Sequence, residues 1–467
     1  MHPFEPNQLL DPAARGPART SSGLACRLLK AMSTPVEFTG ALNESRHRPL
    51  TSSDYKTLGL SALGGTLEFY DFVIYVFFAA VVGKLFFPAD MPEWLRMLQT
   101  FGIFAAGYLA RPVGGIIIAH YGDVIGRKRM FTLSIFLMAV PTLVIGLLPT
   151  YASIGVAAPI MLLLMRALQG AAIGGEMPGA WVFVAEHVPA NRYAFGVGAL
   201  TAGITGGILL GSLMGIFINS VFEPGEVTDF AWRIPFILGG VFGLVSVYLR
   251  RYLEETPVFK ELAVRRAQSR EMPLKTVLRE HRAACLLTAG MTWCLSGAIV
   301  VVILMTPAYL QTVHHLPPKL VMQANCAGTL TLTIGCLLVG WLCDRIGTLP
   351  TMLIGWGGLA LSTVWFYGQL PGTPESLVWG YALVGLFVGS IALTPIVSTR
   401  AFPPAVRFSG LSFAYNMAYA VFGGLTPILI SLWIKQDPQG PAHYVLALSI
   451  LGLVLAVVPM SSKGYKA

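Results

Sequence analysis

The chain has 467 residues, of which 55% are hydrophobic and 12% are charged, and its mean hydropathy is +0.66. A soluble core cannot bury that much apolar surface, so the composition excludes a soluble globular protein and indicates an integral membrane protein. The formal net charge is +9, and its Lys and Arg residues concentrate in particular loops. This pattern reports membrane orientation and not nucleic-acid binding.

The first 55 residues mix Pro, Ser, Arg and Asn without hydrophobic periodicity. They contain no apolar run long enough for the core of a signal peptide. We therefore predict that residues 1–55 form a disordered cytoplasmic extension.

About twelve apolar segments follow, and each is long enough to cross a hydrocarbon core of about 30 Å as a helix. The longest polar stretch, 251–282, separates six segments from the other six. We predict an all-α membrane protein whose twelve transmembrane helices form two pseudo-symmetric six-helix bundles, 56–250 and 283–460, joined by a cytoplasmic loop and followed by a tail at 461–467. The segments are 58–83, 95–119, 130–149, 158–185, 194–219, 232–250, 283–309, 320–343, 350–370, 377–399, 408–434 and 442–460.

Basic residues alternate between the two sides of this arrangement. If the central loop is cytoplasmic, the basic loop around Arg127 and the bases Arg192, Arg345 and Arg407 lie on the same side, while the opposite loops are mostly acidic. This positive-inside bias places both termini in the cytoplasm.

A short repeat relates the two halves. Gly-Asp-Val-Ile-Gly-Arg-Lys-Arg at 122–129 follows segment two, and Asp344-Arg345-Ile346-Gly347 follows segment eight, the corresponding place in the second half. Asp-x-x-Gly is also ordinary turn chemistry. The matching positions favour two homologous halves packed around a central site, as alternating access requires.

Two acids interrupt the first apolar segment. Glu68 and Asp71 stand at i and i+3, so they share one helix face near mid-depth. An ionisable group at that depth costs several kcal/mol unless it is paired or faces water, so we predict proton-coupling roles for both. The alternative is a structural ion pair with a base on a neighbouring helix.

The fourth segment carries Arg166, Gln169 and Glu176. Arg166 lies at the depth of the acids, so it can neutralise one of them, or bind a substrate carboxylate when that acid is protonated. Glu176 is either part of an inner gate or a third proton site. Arg111, followed by Pro112 late in segment two, is expected near the inner surface with a structural role.

The second half has almost no charge inside its segments, and its cavity-lining groups are polar or aromatic. Trp293 and Tyr415 either contact substrate or belong to the core. Asn416 is expected to be buried, because an amide facing lipid stays unpaired. Together with Arg166, Gln169 and Tyr70, these three complete the predicted substrate-binding residues.

These motifs resemble the metabolite:proton symporter family of the major facilitator superfamily. The resemblance covers residues 58–460, and it rests on Glu68-Phe69-Tyr70-Asp71-Phe72, Ala110-Arg111-Pro112-Val113-Gly114-Gly115, Arg166 to Glu176, Ala185-Glu186-His187, Trp232 to Phe236, Glu255 to Phe259 and Arg407 to Gly424. It implies the major facilitator fold, a bacterial inner membrane, and transport of proline, betaines, α-ketoglutarate, shikimate or citrate-type acids with protons.

The resemblance also implies a conformational latch at the repeated loops. Asp123, Gly126, Arg127 and Lys128 form it in the first half, with Glu186 as the expected partner of Arg127. Asp344 and Arg345 form its counterpart, which lacks the usual basic pair and is expected to be weaker.

We therefore expect a proton-coupled importer of a small organic acid or zwitterion, which acts as a monomer and is not an enzyme. A proton antiporter that exports drugs or metabolites is the alternative, since it uses the same fold and buried acids. A sensor that kept the fold is a third possibility.

No metal or cofactor is expected, and the proton gradient is the expected energy source. The sequence has no GxxxxGK[ST] loop, and its six cysteines show no ligand spacing.

Overall fold

The computed structural model describes residues 49–249, 273–370, 372–434 and 436–457, and within these ranges it is built from helices. Most of the predicted N-terminal extension, most of the central loop and the tail lie outside the described residues. The part of the loop that is described contains a short amphipathic helix, Pro273–Glu280.

Twelve helical spans occupy the twelve predicted segments, and several of them are interrupted. In chain order the spans are 1 (Ser52–Phe77 and Ala79–Phe86), 2 (Glu93–Ile125), 3 (Arg127–Leu147), 4 (Ala157–His187), 5 (Tyr193–Val221), 6 (Arg233–Leu249), 7 (Arg282–Ala298, Ile299–Met305 and Thr306–Thr312), 8 (Pro318–Ile346), 9 (Thr348–Gly368), 10 (Pro374–Val388, Gly389–Ala392 and Leu393–Ala401), 11 (Arg407–Ala418, Tyr419–Gly423 and Gly424–Ile434) and 12 (Gly440–Val457).

Length and hydropathy support a membrane-spanning role for these helices. In the described ranges, nine helices are each long and apolar enough to cross a bilayer, and a bent pair that includes span 6 makes a tenth. Span 3 contributes a shorter apolar helix, Thr132–Leu147, and a π-helical turn divides span 11. Helices suit this setting because each backbone polar group is satisfied within its own segment. The predicted all-α membrane fold is confirmed.

Small residues set the distance between span 5 and span 1. A side chain at Gly203 or Gly207 would collide with the backbone of span 1 at Ala62 or Thr66. The close approach also lets the Thr66 hydroxyl donate to the Gly203 carbonyl at 2.8 Å. Such a seam fixes the rotation of span 1, and therefore the direction in which its acids point.

Spans 2 and 4 are in backbone contact. A Cβ at Gly170 would clash with the Gly107 carbonyl, and one at Gly174 would clash with the Arg111 carbonyl. This contact brings the span that carries Arg111 against the span that carries Arg166. The two guanidinium groups consequently share one neighbourhood.

The repeated loops of the two halves also correspond in structure. Gly126 ends span 2 and Gly347 ends span 8, with φ of 134° and 90°. Residues with a Cβ rarely adopt this conformation, so glycine is required at both turns. The repeat recognised in the sequence therefore corresponds to the same type of glycine turn at the ends of spans 2 and 8.

Several contacts hold the two halves together on the predicted cytoplasmic side. The Asp344 carboxylate of span 8 accepts hydrogen bonds from the backbone N–H groups of Ala194 and Phe195, each at 2.9 Å. Glu186 of span 4 forms an ion pair with Arg407 of span 11 at 3.1 Å. Nearer mid-depth, Asn416 Nδ2 donates to the Gly174 carbonyl at 2.6 Å. These contacts join the two halves on that side.

Candidate functional site

Arg166 occupies a buried aromatic cage on span 4. Its guanidinium carbon lies 4.4 Å from the centre of the Tyr75 ring, 5.2 Å from Phe72 and 5.3 Å from Phe104. One terminal nitrogen, Nη1, donates to the Gln169 side-chain oxygen at 2.8 Å. Its Nε and Nη2 atoms are buried without a hydrogen-bond partner among the described residues. The cage stabilises the cation through the rings and leaves one edge of the guanidinium able to bind an anion.

Arg111 has a similar setting on span 2. Its guanidinium carbon lies 4.4 Å from the centre of the Tyr419 ring, 5.3 Å from Tyr108 and 5.7 Å from Phe72. Its Nε and Nη1 atoms also lack a partner in the described part of the chain. Phe72 is therefore close to both buried cations.

The position of Arg111 corrects our expectation of an inner-surface residue. It lies about 21 Å from Ile125, the inner end of span 2, at about 1.5 Å per residue, and it is 1% exposed. The sequence contained the signal, because the distance from Arg111 to the basic loop already exceeds half of a bilayer core. The rings of Tyr108 and Tyr419, which no motif indicated, were also missed.

Asp71 is fully enclosed within the first half. Span 6 presses against it, since a Cβ at Gly239 would collide with its Oδ1 atom. The gap beside it, lined in part by Met138 and Ser246, is too small to hold a water molecule. Asp71 thus faces spans 3 and 6 in this conformation, and not the junction between the halves.

A chain of hydrogen bonds runs from Arg166 towards Asp71. Gln169 accepts from Arg166 and donates from Nε2 to the Thr142 hydroxyl at 2.7 Å. Thr142, on span 3, lies beside the Asp71 carboxylate. The side chains of Gln169 and Thr142 therefore lie between the Arg166 guanidinium and the Asp71 carboxylate, and Thr142 shares no hydrogen bond with Asp71 in this conformation.

Tyr70 and the two glutamates have different surroundings. Tyr70 is buried, and its hydroxyl donates to the Pro235 carbonyl of span 6 at 3.0 Å. Glu176 is fully buried in span 4. Glu68 lies on span 1, but its side chain is outside the described part of the structure.

The second-half residues separate into two groups. Trp293 stacks on Phe422 with ring centres 4.2 Å apart and donates to the Tyr444 hydroxyl at 2.9 Å, so these contacts are internal to the second bundle. Tyr415 instead meets the first half: its ring lies edge-on to Trp181, with centres 5.1 Å apart. The Tyr415 hydroxyl is buried with no partner among the described groups.

Asn416 and its neighbour Ser412 connect span 11 to spans 2 and 4. The Ser412 hydroxyl lies 3.0 Å from the Gly115 carbonyl and 3.2 Å from the Gly174 carbonyl. Asn416 donates to the same Gly174 carbonyl, as described above. Ser412 was not among the predicted residues, although it stands one helical turn before Asn416.

The latch residues are partly described. The side chains of Asp123, Arg127 and Lys128 lie outside the described residues, whereas Gly126 adopts the positive φ given above. Arg345 lies over the Trp341 ring of its own helix at 5.5 Å.

Glu186 pairs with Arg407 of the other half. The expected pairing of Glu186 with Arg127 stays a prediction, because the Arg127 side chain lies outside the described residues. The Asp344 carboxylate caps the start of span 5. The second copy of the loop motif therefore bonds to the first half, although it lacks the two consecutive basic residues of the first copy.

The chemistry of this site is that of two buried cations. In the described residues, neither Arg111 nor Arg166 has a carboxylate within ion-pair distance, and both keep unpartnered N–H donors. A buried charge without a counter-ion costs several kcal/mol. The arrangement is suited to receive an anionic group, with aromatic surfaces on either side.

Known proteins show similarity over most of the chain. The sequence profile of the Major Facilitator Superfamily matches residues 61–427. A protein of Staphylococcus aureus (strain COL) is 33% identical over 416 residues, which cover 88% of this chain and 89% of that protein. The proline/betaine transporter of Escherichia coli (strain K12) is 30% identical over 449 residues, 89% of this chain and 87% of that protein.

A solved structure supports the fold independently. The proton:xylose symporter XylE bound to 6-bromo-6-deoxy-D-glucose superposes with a TM-score of 0.73 at 16% identity, over 89% of this chain and 97% of that chain. At this identity the likeness concerns the fold alone. The chain belongs to the major facilitator superfamily.

Proposed function

We propose that this protein imports a small organic acid or zwitterion together with protons. The observation that carries the proposal is the pair of buried arginines, Arg111 and Arg166, whose N–H donors have no carboxylate partner among the described residues. A substrate carboxylate would supply the missing negative charge. Proline and betaines, the substrates named for the relatives from Escherichia coli and Salmonella typhimurium, each carry one.

The guanidinium of Arg166 has a suitable edge for this contact. Nε and Nη2 lie on one side of the planar group, and together they can donate two parallel hydrogen bonds to a carboxylate. The unpartnered Tyr415 hydroxyl gives a further polar contact from the second half. Because Arg166 is 1% exposed, the cage rings must move before substrate can enter.

Transport then follows from movement of one half against the other. The bonds of Asp344, Glu186 and Asn416 close the predicted cytoplasmic side, and their rupture would open it. Asp71 would take up a proton when a change of conformation exposes it. Coupling to the proton gradient needs no bound cofactor.

We also infer the setting of the protein. The positive-inside bias of its loops supports a bacterial inner membrane with both termini in the cytoplasm. Two halves that enclose one site are sufficient for alternating access, so a monomer is the proposed functional unit.

Uptake by purified protein in liposomes tests this function. Radiolabelled L-proline, glycine betaine and α-ketoglutarate are supplied outside, with and without an acidic exterior. Accumulation that requires the inward proton gradient supports symport. Expulsion of preloaded label under the same gradient would instead establish antiport, and failure to move any of the three compounds in either direction would contradict the proposal.

A further inference from the structure

We infer that Thr142 and Gln169 are positioning residues that couple the charge on Arg166 to the proton on Asp71. This inference rests on the proposed symport and adds the route by which the two ligands communicate. It begins from the polar chain of the first half, in which Arg166 donates to Gln169 and Gln169 donates to Thr142 at 2.8 and 2.7 Å.

Arg166 divides its donors between two tasks. Its Nη1 atom is committed to Gln169, whereas Nε and Nη2 have no partner among the described residues. A carboxylate can therefore bind side-on to Nε and Nη2 without displacing Gln169. Substrate binding and the polar chain use different edges of the same cation.

The Thr142 hydroxyl has two alternative acceptors. Its oxygen accepts from Gln169, and its single O–H donates to the Met138 carbonyl at 2.9 Å in this structure. The Asp71 carboxylate packs against span 3 next to the turn that carries Thr142, since a Cβ at Gly243 would meet both Ala139 and Asp71 Oδ2. It shares no hydrogen bond with Thr142 in this conformation, and we take it as the alternative acceptor. If the Thr142 hydroxyl rotates, it can donate a hydrogen bond to an ionised Asp71 or accept one from a protonated Asp71.

The direction of the hydrogen bonds sets the sign of the coupling. A positive Arg166 polarises Gln169 and then Thr142 so that the donor end points towards Asp71, which favours the carboxylate. When a substrate anion neutralises Arg166, this polarisation weakens and the protonated acid is favoured. By linkage, protonation of Asp71 then favours substrate binding, as symport requires.

Asp71 has few polar neighbours. Span 3 presents Thr142, span 6 presents Gly239 and Ser246, and span 1 itself presents Tyr70. Of these four residues only Tyr70 titrates, and its hydroxyl already donates to Pro235. Asp71 Oδ1 has no hydrogen-bond partner in the described part of the chain.

The test separates coupling from binding. Thr142→Val removes the hydroxyl with little change in shape, and Thr142→Ser restores it. Thr201→Val is the matched control, because Thr201 is also buried and donates one turn back, to Val197 at 2.9 Å. All variants are reconstituted as full chains in liposomes with radiolabelled L-proline or glycine betaine.

Two readouts are compared for each variant. An inward gradient of one pH unit sustains up to about tenfold accumulation when one proton accompanies each substrate. Counterflow at equal pH measures binding and movement without net use of the gradient. We expect Thr142→Val to lose accumulation while its counterflow stays within about threefold of wild type. Thr142→Ser and Thr201→Val should retain both activities.

Gln169→Leu provides a second interruption of the chain and should also lose gradient-driven accumulation. The inference is overturned if either variant accumulates substrate as wild type does, or if Thr142→Val loses counterflow along with accumulation. Wild-type protein that moves none of the compounds would refute the proposed function itself, and the inference would fall with it.

Discussion

The two halves of this protein share one backbone plan but differ sharply in buried charge. In the described residues of the first half, Asp71, Arg111, Arg166, Glu176 and Glu186 are all buried within spans. In the described second half, Arg407 is the buried charged residue, and it pairs with Glu186 of the first half. The second half otherwise offers rings, hydroxyls and the amides of Asn325 and Asn416. The buried charge of this protein is therefore concentrated in one bundle, as the proposed proton and anion chemistry would require.

Asp71→Asn should have the largest effect, because it removes the proposed protonation site of the first half. We expect gradient-driven accumulation to disappear while counterflow persists, since the amide fills the same space without titrating. The measurement is paired accumulation and counterflow in liposomes. If this variant accumulated substrate as wild type does, another residue would have to carry the coupled proton.

Arg166→Lys tests the substrate contact. Lysine keeps the charge but cannot donate two parallel bonds from a planar group. Loss of a buried charged contact costs about 2 kcal/mol or more, so substrate binding should weaken by about 30-fold or more. Equilibrium binding of labelled substrate measures this, and Arg282→Lys serves as the control, because Arg282 is exposed at the predicted cytoplasmic end of span 7. Unchanged affinity would exclude Arg166 from the site.

Glu186→Gln tests the bond between the halves. The amide keeps a neutral hydrogen bond to Arg407, so the expected cost is about 1–2 kcal/mol of closure on the cytoplasmic side. Because the pair must break for that side to open, the variant should favour the inward-open state. Single cysteines placed between the two halves, beside the Glu186–Arg407 pair, should react with a labelling reagent about tenfold faster. Slower labelling would contradict a role in closure.

Asp344→Asn should have the smallest effect. One of the two backbone bonds to span 5 remains possible, and the loss of negative charge at a helix start costs about 0.5–1 kcal/mol. We expect a lowered melting temperature of a few degrees at most and near-normal uptake. Complete loss of uptake would show that this cap controls the transport cycle and not only its closed state.

The sequence determined the features that depend on distance along the chain. Apolar run length fixed the spans, and the helical rise fixed the depth of Asp71 and Arg166. The repeated glycine turns followed from local backbone requirements at Gly126 and Gly347. Loop charges gave the predicted orientation.

The tertiary structure decided which residues meet. Rotation about each helix axis depends on seams such as the one between spans 5 and 1, and depth contains no information about it. Three features of the site depend on neighbours from other spans. They are the polar chain from Arg166 through Gln169 and Thr142 towards Asp71, the rings around Arg111, and the pairing of Glu186 with Arg407. Glu186 and Arg407 are 221 residues apart in sequence, and contacts of that kind are set by the packing of whole helices and not by any local pattern.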